Sequence, residues 1–296
     1  MKSLYESLLD DEDVLVDKLD DRILIEDWCK KNIKFFYKIL DDNSIETTND
    51  RTIILPDDVE ELPSYINFTP ITKRTMSFKI MGKNLKSLRG CPSIVKGSFH
   101  CDSCPNLESL EYAPKKVGGD FNCSHCYSLK SLDGAPKEIK GDFNCTRCDS
   151  LRTLDGAPEK VKQNFHCTGC KNLESLEGFP KEVGRMVFCS YCPLLKNLKG
   201  LPNKIASINL NDCTSLKTLE GCPKTISRIY INNCPNLESL EGLPKSMYEV
   251  SFKNCPKLKS LKGLPFNLTQ ISADTKFTRE EILKTSNIML NTHLYN

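Results

Sequence analysis

The strongest constraint on this chain is a short unit that recurs nine times. One copy begins at Cys145 and reads CTRCDSLRTLDGAP. The first leucine of the unit lies at Leu85, Leu107, Leu129, Leu151, Leu173, Leu195, Leu216, Leu237 and Leu258. The step is 22 as far as Leu195 and 21 thereafter. A fixed period in this range is the sequence signature of a solenoid, in which each unit packs only against its neighbours.

Each unit predicts a strand, a corner and an extended return. In the segment F-x-C-x-x-C-x-x-L-x-x-L, the alternating Phe and first Cys point the same way, as a short strand requires. The two leucines point back inward after the corner. The following Gly-x-Pro disfavours a helix, and one Val or Ile then anchors the return in the core. Strands stacked at about 4.8 Å would form one parallel sheet.

The pattern I-x-L-x-x-C-x-x-L-x-x-L, present from Ile208 to Leu219, resembles the leucine-rich repeat with Cys at its Asn/Cys position. The short unit with a proline in its return is similar to the bacterial-effector type. The segment GAPKEIKGDFNC resembles segments of uncharacterised repeat proteins of giant DNA viruses and large phages. The resemblance covers roughly residues 33–277. It implies an α/β repeat fold, a right-handed leucine-rich repeat solenoid with one short parallel strand per repeat and an extended, non-helical convex side, and almost nothing about activity.

The ends of the chain predict caps that cover the open ends of the solenoid. Residues 3–31 predict one or two short helices, and a strand over 33–40 followed by one from 45 towards 55 predicts a β-hairpin. A degenerate first coil would place a strand at 78–80. Thr278 and Glu281 form a capping-box pattern that predicts a helix through about residue 291. The expected domains are therefore an N-terminal cap over 1–50, the solenoid over 51–277 and a C-terminal capping helix over 278–296.

Five units carry a Cys-x-x-Cys with the spacing of a zinc ligand pair, and adjacent pairs are as far apart in sequence as the pairs of four-Cys zinc sites. The shorter units argue against metal, because there the first Cys is replaced by Leu210, Ile231 and Phe252 while the second persists. A position that accepts these residues is a buried apolar slot, and free Cys behaves as a small hydrophobe. We expect no metal site, with the second thiol serving backbone carbonyls of the turn. A row of stacked thiols also has no natural division into groups of four.

The sequence offers no constellation for catalysis, so we expect no enzyme and no cofactor. His100 and His166 occupy the same strand position three repeats apart, roughly 14 Å at about 4.8 Å per coil, and cannot share a metal. A phosphate-binding glycine loop and a Ser/His/Asp arrangement are both missing from the printed sequence.

The exposed face of the predicted sheet holds the candidate site. Its first half is small and polar, close to the repeat consensus. The second half departs from it, with candidate partner-binding residues Met186, Phe188, Tyr191, Arg228 and Tyr230. Aromatic and Arg side chains are typical binding hot spots. The alternatives are sequence drift or packing against the C-terminal helix.

These features favour a non-enzymatic protein-binding scaffold with a concave β face, directed at a host or virion protein if the viral resemblance holds. The alternatives are a structural, virion-associated, self-assembling component and a Cys-rich metal or redox store. The net charge of +2 gives no reason to expect a nucleic-acid or membrane partner. We expect an intracellular monomer, in the host cytoplasm or virion if viral, since the N-terminus lacks the apolar core of a secretion signal and no apolar run approaches a membrane span.

Overall fold

The computed structural model describes residues 21–33, 37–47, 51–54, 57, 59–70 and 77–288. The chain is a parallel β-solenoid of about nine turns with few helices. Helix α1 covers residues 21–32, and an antiparallel hairpin follows, formed by β1 (Tyr37–Ile39) and β2 (Ile45–Thr47). Within these described ranges, no helix is both long enough and apolar enough to cross a membrane.

The main sheet runs the length of the solenoid and has twelve parallel strands. In chain order these are β3 (Arg51–Ile54), β4 (Phe78–Met81), β6 (Phe99–His100), β8 (Phe121–Asn122), β10 (Phe143–Asn144), β12 (Phe165–His166), β14 (Met186–Phe188), β15 (Ser207–Asn209), β16 (Arg228–Tyr230), β17 (Ser246–Phe252), β18 (Asn267–Ala273) and β19 (Asn287–Ile288). Each strand belongs to one coil, so the strand register follows the period of the sequence.

A second parallel sheet is formed by the return segments. Its five strands are β5 (Ile94–Val95), β7 (Lys116–Val117), β9 (Glu138–Ile139), β11 (Lys160–Val161) and β13 (Glu182–Val183). The sequence predicts extended returns but not their pairing. Pairing follows from stacking, because identical coils set each return about one strand spacing from the next.

The core lies between the two sheets and is built from columns of equivalent side chains. The Phe column of β8, β10 and β12 stacks its rings at 5.4 Å between centroids, for Phe121–Phe143 and Phe143–Phe165. The two leucines of each unit are buried, and so are both cysteines of the five Cys-x-x-Cys pairs and the Val and Ile anchors of the returns. Each coil therefore contributes one complete slice of core, which a single unit could not bury alone.

Left-handed backbone marks the corners of the coils. The residue before the second Cys has a positive φ in eight successive units, at Ser103, His125, Arg147, Gly169, Tyr191, Asp212, Asn233 and Asn254. Most units have a glycine at a second left-handed position, which Tyr112 occupies in one unit with φ 64°. At Gly134, φ is +96°, and a Cβ there would lie 2.2 Å from the carbonyl oxygen of Leu110. The recurrent Gly thus allows the backbones of adjacent coils to approach closely.

The structure corrects the sequence prediction at both ends. The C-terminal helix, α2 (Arg279–Thr285), has the expected capping box between Thr278 and Glu281, but it ends at Thr285 rather than near residue 291. Ser286 is extended, and its hydroxyl donates to the carbonyl of Pro265 at 2.7 Å, so the chain continues as β19. Residues 289–296 lie outside the described ranges.

At the N-terminus, the helix predicted within 3–31 is described only from residue 21. The strand predicted over 33–40 is confined to β1 in the described part, since α1 reaches residue 32 and residues 34–36 are not described. The strand predicted from 45 towards 55 is two strands: β2 pairs with β1, and β3 joins the main sheet beside β4. The strand predicted at 78–80 is confirmed as β4.

Candidate functional site

The cysteines form a thiol ladder through the core, defined here by the second Cys of each unit. Most of these thiols donate to the carbonyl of the first-Cys position one coil earlier, as Cys148 does to Cys123 at 3.2 Å and Cys213 to Cys189 at 3.1 Å. The pattern persists where the acceptor residue is apolar, since Cys234 donates to the carbonyl of Leu210 at 3.4 Å. The sequence predicted carbonyl acceptors within the turn; the shorter contacts lie between coils.

Burial favours the protonated form of two ladder thiols, those of Cys104 and Cys234. It raises the pKa of Cys104 and of Cys234 to about 12, because a thiolate there would lose its hydration. All 16 cysteines are free thiols, and only Cys222 is partly exposed. A nucleophile or metal ligand must be a thiolate, so burial opposes both roles at Cys104 and Cys234.

No group of three or more His, Cys, Asp or Glu side chains in the described ranges is arranged to hold a metal ion. The two strand histidines lie apart, since β8 and β10 separate β6 from β12 in the sheet. His100 has its Nδ1 3.9 Å from Asp102 Oδ1, and Lys79 donates to Asp102 Oδ2 at 3.0 Å. Burial lowers the pKa of His100, which favours the neutral ring.

The first half of the exposed face is a structural ladder rather than a merely solvated surface. Ser98 accepts from the backbone N–H of Asp120 at 2.9 Å, Asp120 from Asp142 at 2.8 Å and Asp142 from Asn164 at 2.7 Å. Asn164 then accepts from Met186 N–H at 3.1 Å. These polar side chains tie successive coils together, which accounts for their recurrence in the sequence.

The candidate residues Met186 and Phe188 lie on β14, where the row of polar side chains from Ser98 to Asn164 ends. Phe188 is partly buried and stacks on His166 of the preceding strand, with ring centroids 4.6 Å apart and planes 4° from parallel. His166 in turn has its Nε2 3.4 Å from Asp142 Oδ2. The Phe188 ring is therefore packed face to face against the ring of His166, its aligned neighbour on β12.

Arg228 and Tyr230 form a second cluster on β16. The Tyr230 hydroxyl donates to Glu249 Oε2 at 3.0 Å, and Arg228 Nε lies 3.5 Å from the same oxygen. Arg228 also sits over the Tyr248 ring, 4.6 Å from its centroid, while 45% of its side chain remains exposed. Burial, and then the Glu249 carboxylate, raise the pKa of Tyr230, so its phenol remains a donor.

The two clusters flank β15, whose outward residues are Ser207 and Asn209. Met186 is aligned with Ser207 and then Arg228, and Phe188 with Asn209 and then Tyr230. The first cluster contacts His166 on β12 and the second contacts Glu249 on β17, so both have these partners on the side away from β15. The two clusters are about two strand spacings, roughly 9.6 Å, apart at the backbone. Between them Asn209 is partly exposed and Ser207 is buried.

Tyr191 lies off this face, at the corner that follows β14. Its φ is 57°, and 59% of the residue is exposed. Leu194 is exposed at the same corner. Tyr191 therefore extends the surface along the solenoid edge instead of joining either cluster.

The sequence analysis missed His166, Tyr248 and Glu249 as cluster members. Neighbouring columns of the repeat alignment could have pointed to them, because each lies one strand from an identified residue.

Comparisons with protein-family models, curated proteins and solved structures found no match to this chain.

Proposed function

We propose that this chain is a non-enzymatic protein-binding scaffold, built as a right-handed leucine-rich repeat solenoid. Support for the repeat type comes from the I-x-L-x-x-C-x-x-L-x-x-L pattern and from the Cys column, whose thiols bond to the backbone of the preceding coil. The repeat sequence resembles repeat proteins of giant DNA viruses and large phages, and this resemblance would make the partner a host or virion protein.

The observation that carries the proposal is the paired aromatic clusters on β14 and β16. Consensus coils present Asn or His at the position of Phe188 and Tyr230, and Asp, Asn or Ser at that of Met186 and Arg228. Replacing small polar groups by large rings at an exposed sheet position gains little for folding, while aromatic and Arg anchors contribute most of the affinity of protein interfaces.

The clusters are also preorganised, which reduces the entropy lost on binding. The stack on His166 fixes Phe188, and the shared contacts with Glu249 fix Arg228 and Tyr230. A protein surface that inserts a side chain over Asn209 would contact both clusters. Tyr191 and Leu194 would then add contacts at the edge.

Proximity labelling in cells, followed by quantitative mass spectrometry, tests this proposal. Phe188→Ala with Tyr230→Ala should remove the proteins that the wild type enriches, with the melting temperature nearly unchanged because both rings are partly exposed. The matched control is Tyr112→Ala with Phe266→Ala, which removes two other exposed rings, 57% and 61% accessible, outside the face. Equal enrichment by the wild type and the cluster variant would refute the proposed site.

Light scattering separates the scaffold from the self-assembling alternative. A scaffold with one binding face should remain a monomer of 33.5 kDa over a wide concentration range. Mass that grows with concentration, and that Phe188→Ala with Tyr230→Ala leaves unchanged, would favour the structural role.

A further inference from the structure

The second sheet is interrupted between β13 and the return segment of the next coil. On the near side, the N–H groups of Glu182 and Gly184 donate to β11 and its flank, to Glu159 O at 3.3 Å and Val161 O at 2.9 Å. On the far side, Ile205 N–H donates to Thr225 O at 3.1 Å. Across the break, where every residue is described, no backbone hydrogen bond joins 181–184 to 203–206.

The break coincides with the change of the repeat period from 22 to 21. The return anchor Val183 precedes the inward Val187 of its strand by four positions, whereas Ile205 precedes Ile208 by three. The main sheet remains paired across this point, with Met186, Val187 and Phe188 aligned to β15. The two coils are therefore joined on the main-sheet side and unpaired on the return side.

A cleft of about 700 Å³, which we call the seam cleft, spans this unpaired region. It is lined by residues 160–162, 181–184 and 202–206 and by Thr225 and Ser227. Its volume lies within the range of ligand-binding clefts. Alternate residues of a strand direct their backbone groups to opposite neighbours. Since Glu182 and Gly184 bond towards β11, the N–H and C=O of Val183 face the cleft. By the same alternation Lys204 faces it from the other side.

The seam cleft is lined by Lys160, Lys162, Lys181 and Lys204, with Glu182 as the only acidic residue lining it. Glutamates pair with the first three lysines: Glu182 with Lys160, Glu138 with Lys162 at 3.6 Å, and Glu159 with Lys181 at 2.7 Å.

Beyond the cleft the charge is not balanced. Lys204, Lys224 and Lys245 belong to the three successive return segments that follow the break. None of them has a carboxylate partner within the described ranges. The far side of the cleft is therefore positively charged.

We propose that the seam cleft binds an extended acidic segment of a partner protein by β-strand addition. The segment's backbone would pair with Val183, with Lys204 and with the N–H of Ala206, whose carbonyl already accepts from Ser227 N–H at 2.9 Å. Its acidic side chains would contact Lys204 and its neighbours. Unpaired strand edges recognise peptides in this way, with backbone bonds giving affinity and side chains giving specificity. A nucleic acid fits less well, because the residues lining the cleft include no aromatic ring and no Arg. The site lies on the opposite sheet from the aromatic clusters and does not depend on them.

Fluorescence anisotropy with a labelled ten-residue peptide of alternating Glu and Val tests this with the full chain. Three peptide controls separate the contributions: Lys in place of Glu, N-methylation of alternate amides, and a single-stranded oligonucleotide of similar charge. The protein variants are Lys204→Glu and Ala206→Pro. Pro removes one N–H from the cleft, and the site is an edge, where Pro is tolerated. Ala206→Ser retains the N–H, and Lys217→Glu reverses an exposed charge elsewhere.

We expect saturable binding of the acidic peptide. Ala206→Pro should weaken it about three- to tenfold, the value of roughly one net hydrogen bond, and N-methylation, which removes several backbone donors, should weaken it more. Lys204→Glu should weaken it, while Ala206→Ser, Lys217→Glu and Phe188→Ala with Tyr230→Ala should not. Absence of binding up to about 1 mM peptide, binding unaffected by N-methylation, or preferred binding of the oligonucleotide would each overturn the proposal. N-methylation tests backbone pairing even if Ala206→Pro fails to fold.

Discussion

The thiol of Cys126 donates to the carbonyl oxygen of Cys101 at 3.2 Å, across one turn of the solenoid. Equivalent bonds link later coils, including Cys170 to Cys145 at 3.3 Å and Cys255 to Ile231 at 3.2 Å. At Cys145 the same carbonyl also accepts the N–H of Cys148 at 3.2 Å, so the thiol of the next coil adds a second hydrogen bond to a buried acceptor. The second Cys is therefore a donor in the core, which explains why it persists in units that have lost the first.

The two cysteines of one coil should differ in their contribution to stability. Cys170→Ala removes a donor from the buried carbonyl of Cys145, whereas Cys167 has no backbone acceptor within the described ranges. Both substitutions remove the same atoms from fully buried sites. We expect Cys170→Ala to lower the free energy of unfolding by about 1 kcal/mol more than Cys167→Ala, as measured by urea denaturation. Equal losses would show that the thiol bond contributes nothing.

Alkaline pH should destabilise the fold. Thiols in the unfolded chain ionise near pH 8.5, while burial raises the pKa of Cys104 and Cys234 to about 12 in the folded state. Below about pH 8.5 both states are protonated and stability is complete. Above it the unfolded state loses protons first, so the free energy of unfolding falls, by up to about 1.4 kcal/mol per pH unit for each buried thiol. Urea denaturation from neutral to alkaline pH would measure this fall, and a flat profile would contradict thiol burial.

Two glycines with positive φ should respond differently to substitution. At Gly134 a Cβ would lie 2.2 Å from the Leu110 carbonyl oxygen, and backbone must move to admit it. At Gly169 a Cβ would meet only the side chain of Arg147, at 3.3 Å, and other coils carry Asn at this corner. We expect Gly134→Ala to cost several times more stability than Gly169→Asn, which should stay within about 1 kcal/mol. Thermal unfolding of both variants checks the order, and similar losses would show that the coils can separate at Gly134.

The repeat predicted the columns of the main sheet because every coil obeys the same inward pattern. The positions of Phe188 and Tyr230 on one exposed column follow from counting along the period of the sequence, and the strand register confirms them. Burial of the first-Cys position followed from comparing the units, because Leu210, Ile231 and Phe252 replace it in the shorter ones.

The pattern could not predict contacts that depend on a single coil. Glu249 can accept a hydrogen bond from Tyr230 because it is aligned with Arg228 on the next strand, β17. The repeat alone also does not specify that the Phe188 ring stacks on His166. The seam cleft depends on the position, relative to the return anchor, at which the 21-residue units lack one residue. The sequence shows only that the period becomes shorter, and not where in the coil the residue is lost. Helix α2 ends early because Ser286 finds acceptors in the last coil, a tertiary contact outside local sequence preference.

Native mass spectrometry of the purified protein, combined with a thiol titration after denaturation without reductant, tests the central claim most directly. The claim is that the Cys-x-x-Cys pairs have a structural role in the core, and that function is carried by the side chains that face outward. The account predicts the mass of the bare chain and 16 titratable thiols, the number of cysteines in the sequence. Stoichiometric zinc in the native mass, or a titration well below that number because of disulfides, would contradict it.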